Sequence, residues 1–118
     1  MKIFKEVEAT YRGYNFLLRN IGYEEIPSLP YSPHNWWCGY VELQEGDEYY
    51  DKDYHDIPIA CHGGLTFKGK IHDKMYIGFD CNHYLDDPFV EDEAYCTHEC
   101  KFIIKQLLER GDDDRSEE

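Results

Sequence analysis

Residues 57–87 read I-P-I-A-C-H-G-G-L-T-F-K-G-K-I-H-D-K-M-Y-I-G-F-D-C-N-H-Y-L-D-D. Two apolar runs, Ile57–Cys61 with Leu65–Phe67 and Met75–Cys81, have the length and β-branched or aromatic content of strands. Each run ends in side chains able to do chemistry. Cys61 and His62 precede a glycine pair, and Asp80, Cys81, His83 and Asp86 close the second run. Pro58 lacks an amide donor and restricts the first run to an edge or to its opening residues. His62-Gly63-Gly64 interrupts it, and Lys68–Lys74 reads as a basic, turn-like connection.

Working outward, Trp36–Leu43 (W-W-C-G-Y-V-E-L) alternates as a strand, with Trp36, Cys38 and Tyr40 on one face and Trp37, Val41 and Leu43 on the other. Gln44–Asp56 is too acidic for a core and reads as a surface loop, with Tyr49, Tyr50 and Tyr54 folding back. Three prolines make Ile26–Pro33 an extended loop. Residues 4–22 fit a helical period, yet their aromatics and Gly13 favour a strand over Thr10–Arg19, with a turn at Asn20–Gly22. After a loop at Leu85–Asp92, Asp92 suits an N-cap. Cys96, Cys100, Ile103, Ile104, Leu107 and Leu108 then form one helical stripe over Glu93–Arg110, with Gly111 as the stop. The expected fold is α+β: a mostly antiparallel sheet with one C-terminal helix on a face. It forms one domain over residues 1–110, followed by an acidic, disordered tail at 111–118.

The 118 residues carry a net charge of −13. Residues 42–56 hold seven acids and one lysine, and residues 75–100 hold seven acids and no lysine or arginine. Direct nucleic-acid binding is therefore disfavoured, because phosphates would be repelled. No apolar run is long enough to cross a membrane. The early charges at the N-terminus do not fit a secretory leader, so the expected location is cytoplasmic. There the five cysteines are reduced.

The chemistry converges on few residues. His62, Asp80 and His83, with Asp86 nearby, offer two imidazoles and carboxylates: enough to hold a divalent metal or to act as a general acid and base. Asp80 and His83 meet only if the strand ends at Asp80. Gly63 and Gly64 admit close approach of another group, and their amides form a candidate anion nest. Cys96-Thr-His-Glu-Cys100 has the look of a zinc motif, but on a helix His98 turns away from both cysteines. Cys61 and His62 are neighbours on a strand and point to opposite faces, which disfavours a thiol nucleophile.

The segments W-C-G-Y-V at 37–41, D-Y-H-D at 53–56, C-H-G-G-L-T-F at 61–67 and I-G-F-D-C-N-H at 77–83 together resemble a family of small proteins of bacteriophages and prophages. Where such proteins commonly have alanine before the histidine, this chain has Asn82. The resemblance implies a phage accessory protein in the host cytoplasm, of the kind that antagonises host defence. Three functions follow as expectations. One is binding of a small polar or nucleotide-like ligand by His62, Gly63, Gly64, Thr66, Asp80 and His83, with Lys68, Lys70 and Lys74 adding local positive charge. The second is an acidic, DNA-mimicking inhibitor of a host protein. The third is a metal-assisted phosphoesterase using His62, Asp80, His83 and possibly Asp86.

Overall fold

The computed structural model describes residues 1–23 and 35–116; the loop expected at Ile26–Pro33 lies outside them. Among the described residues five strands form one antiparallel sheet. They are β1 (Lys2–Tyr11), β2 (Tyr14–Gly22), β3 (Asn35–Glu42), β4 (Phe67–Ile71) and β5 (Lys74–Asp80), in the order β1-β2-β3-β5-β4. One helix, α1 (Glu93–Ser116), packs across a face. The expected α+β architecture is present, and no described helix is long and apolar enough to cross a membrane.

The two faces follow from alternation. Phe16 and Leu18 of β2, Val41 of β3, and Ile77 and Phe79 of β5 point to the helix. There they meet Cys96, Cys100, Ile103 and Ile104, the stripe read from the helical period. Gly39 allows the close approach: a side chain at that position would begin 2.6 Å from the Phe79 ring and 2.7 Å from Cys100 Sγ. The opposite face carries Leu17, Trp36, Cys38, Tyr40, Ile71 and Tyr76. Asp92 caps the helix as expected, its Oδ1 accepting the Tyr95 amide at 2.9 Å. Tyr49 folds back from the acidic loop and is buried.

Several expectations need correction. The single strand placed over Thr10–Arg19 is a hairpin. Arg12 and Gly13, at φ 49° and 86°, make the two-residue turn between Tyr11 and Tyr14. Asn20–Gly22 is therefore the end of β2 and not a turn. Lys68–Ile71 belongs to β4, and the connection shrinks to His72-Asp73, both with positive φ. Ile57–Cys61 is extended but joins no strand ladder. It lies against α1, where the Gln106 amide takes the place of a neighbouring strand: Ala60 N donates to Oε1 at 2.8 Å, and Nε2 donates to Ala60 O at 2.7 Å. Gly111 does not stop the helix, which runs on to Ser116.

Candidate functional site

Strand β5 ends where the chemistry begins. The Cys81 amide still donates to Trp37 O at 2.9 Å, and the chain then leaves the sheet. Asp80 organises the exit. Its Oδ1 accepts the Asn82 amide at 3.1 Å and lies 3.6 Å from His83 Nε2, while Oδ2 accepts the Thr66 hydroxyl at 3.1 Å. A tight turn follows: Asp86 N donates to His83 O, and the His83 amide donates back to Asp86 Oδ2, both at 2.9 Å. The convergence of Asp80 and His83 at a strand end is thus present.

His62 arrives from the other side. Its Nε2 lies 2.9 and 3.0 Å from the two Asp86 oxygens, and its Nδ1 lies 2.8 Å from the Tyr95 hydroxyl. A carboxylate only accepts, so Nε2 carries a proton toward Asp86. The His62 amide donates to Glu99 Oε1 at 2.7 Å. Burial alone would raise the Asp86 carboxyl, but the hydrogen bonds from His62 and the His83 amide outweigh it and hold the group below its usual range. The Tyr95 hydroxyl is pushed up by burial and by Glu99. The two imidazole rings sit 5.7 Å apart.

The residues read from the sequence therefore divide into two groups. His62, His83 and Asp86 come together, with one donor atom from each lying within 4.8 Å of the others. Asp80 contacts His83 but pairs across the sheet with Cys38, on the face away from the helix. There, with Thr66 and Asn82, it lines a cavity of about 260 Å³ whose other walls include Trp36, Tyr40 and Phe67. A larger cavity, about 410 Å³, lies over Glu8, Thr10, Asn15, Lys74 and Tyr76. It contains none of His62, Gly63, Gly64, Thr66, Asp80, His83 or Asp86, and its Asn15 and Lys74 are already engaged with Glu42.

Gly63 and Gly64 have φ of 66° and 81°. Gly63 makes room for His83, whose Nε2 occupies the space a Cβ would take. The anion nest is half spent, because the Gly64 amide donates to Cys61 O at 2.9 Å. Two of the three lysines expected to add positive charge are engaged elsewhere. Lys68 donates to the carbonyls of Tyr49, Tyr50 and Lys52, and Lys74 faces Glu42. Burial, with Glu99 and Cys81 adding, pushes the Cys61 thiol up to about 12, which leaves almost no thiolate for nucleophilic attack near neutrality. Cys96 faces Cys81 at 3.6 Å across the core.

Sequence reasoning missed Tyr95 and Glu99. The available signal was their spacing: four residues apart, beside the Cys96 and Cys100 stripe, they lie on one flank of the helix. It also missed that the aromatic face of β3 and the carboxylate of Asp80 share a cavity. No protein-family model, curated protein or solved structure matches the chain.

Proposed function

We propose that this chain is a binding protein for a small polar, nucleobase-like ligand. The observation that carries this reading is the 260 Å³ cavity, which combines the Trp36, Tyr40 and Phe67 walls with Asp80, Thr66 and Asn82. Aromatic walls favour a flat ring, at about 1–3 kcal/mol per stacked base. The Asp80 carboxylate only accepts, so it selects a ring edge rich in N–H donors. A net charge of −13 disfavours ligands with exposed phosphates. A nucleoside or base therefore fits better than a highly charged nucleotide. In the setting that the phage resemblance implies, the protein would sequester such a molecule from a host defence pathway.

Calorimetry with a panel of bases, nucleosides, cyclic nucleotides and ADP-ribose derivatives tests this. Binding that weakens at least about tenfold in Asp80→Asn is the expected result, because a charge-assisted bond is lost. No binding at high micromolar ligand, or equal binding by the variant, overturns it.

The alternative, an acidic inhibitor that binds a host protein, has one observation of its own. Tyr84 and Phe89 are 94% and 90% exposed, and Leu85 and Val90 are also exposed, among Asp86, Asp87, Glu91 and Asp92. Apolar side chains rimmed by acids fit a partner with an apolar cleft and basic borders. A partner captured from host lysate and lost in Tyr84→Ser/Phe89→Ser would favour this reading over the first.

A further inference from the structure

We infer that His62, His83 and Asp86 form a binding site for a first-row divalent transition-metal ion such as zinc. None of these three donors lines the nucleobase-like pocket, which uses Asp80, Thr66 and the aromatic walls, although Asp80 lies 3.6 Å from His83.

Geometry comes first. Donors about 2.0–2.1 Å from a tetrahedral zinc lie about 3.3 Å from one another. His62 Nε2 and Asp86 are already 2.9–3.0 Å apart, and the whole three-atom set spans at most 4.8 Å. The remaining closure falls to His83, whose side chain is 39% exposed and can swing inward, whereas those of His62 and Asp86 are 16% and 9% exposed. Gly63 keeps the path of that ring open.

The donor set comes next. Two imidazoles and one carboxylate suit zinc, cobalt, nickel or iron, and are poor for magnesium or calcium, which prefer all-oxygen shells. Three protein donors leave room for water or a ligand atom on the ion.

The surroundings hold the donors as a metal site requires. Asp86 is fixed by the His83 amide, and His62 by Tyr95 and by the Glu99 contact to its backbone. With Nε2 on an ion, Nδ1 would carry the ring's N–H and could donate to the Tyr95 oxygen 2.8 Å away, so the ring would keep that partner. Nearby Asp80 and Glu99 add negative charge around a dication. A second group, Glu6, Glu8 and His72, also brings donor atoms together. Its three residues are exposed, and its Glu6 is spent on Arg19 and His72. It lacks the part-buried His62 and Asp86 of the first group.

The test uses the full chain, stripped with chelator and then dialysed against zinc or cobalt. One ion per chain is expected. The cobalt form should show visible d–d bands without the intense near-ultraviolet band of thiolate ligation. Because His62→Ala removes a part-buried hydrogen-bonded ring, the more exposed His83→Gln serves as the second variant. It should keep the fold and lose metal affinity at least about tenfold. Asp80→Asn should leave affinity within a few-fold, which separates this inference from the pocket reading. No retained ion, a thiolate band, or equal affinity in His83→Gln would overturn it.

Discussion

At the scale of single residues, the pair Gly63 and His83 controls the site. Gly63 has φ 66°, and the His83 ring fills the place of its missing side chain. Gly63→Ala is expected to cost about 1–2 kcal/mol in urea unfolding, because an L-residue is forced into the left-handed region. It should also displace the His83 ring, read as a change in the imidazole resonances by NMR. Unchanged resonances would show that His83 does not rest on this glycine. The two imidazoles were legible from residue type and from their place at the ends of apolar runs. The choice of carboxylate was not. Asp80 ends a strand beside His83 and drew attention, but Asp86 returns to His62 only through a turn closed by its own hydrogen bonds with His83. That return depends on a loop conformation, with Leu85 at φ 74°, which no periodicity encodes.

At the scale of elements, α1 was legible because its apolar spacing admits only one buried stripe, and Cys96, Cys100, Ile103 and Ile104 are all fully buried. The segment Ile57–Cys61 was not, although it looks like a strand. Its backbone groups are met by side chains of the helix, Gln106 at Ala60 and Glu99 at His62, so it needs no neighbouring strand. Gln106→Ala should lower stability by about 1–3 kcal/mol, the net worth of two typical protein hydrogen bonds, in chemical denaturation. It should also speed amide exchange at Ala60. An unchanged exchange rate there would show that the glutamine clasp does not hold the segment. The connection between β4 and β5 was legible as a turn but drawn too long, over Lys68–Lys74, because neither His72 nor Asp73 is a glycine and β4 reads K-G-K at its centre.

At the scale of the whole molecule, charge and burial set the pH range of stability. Burial, with Asp47 adding, raises the Tyr14 phenol to about 12, and burial raises Tyr40 further. An acid whose folded value lies above its unfolded value contributes stability that is present below the unfolded value. That stability is lost as pH rises through the folded one. Melting temperature should therefore hold to about pH 10, the ordinary tyrosine value, and fall toward about pH 12. Tyr14→Phe should flatten part of that fall. A melting temperature steady across this window would contradict the burial of both phenols.

The outer edge of the sheet is ten residues long, and its pairing with β2 slips between Ile3 and Lys5. That slip distorts the hydrogen-bonding rim at which another chain would have to dock. Lys2, Lys5, Glu6 and Glu8 crowd the same rim with charges that resist being stacked against copies of themselves. Among the described strands this edge pairs with no further strand, and the slip and the charges together guard it against growing into fibrils.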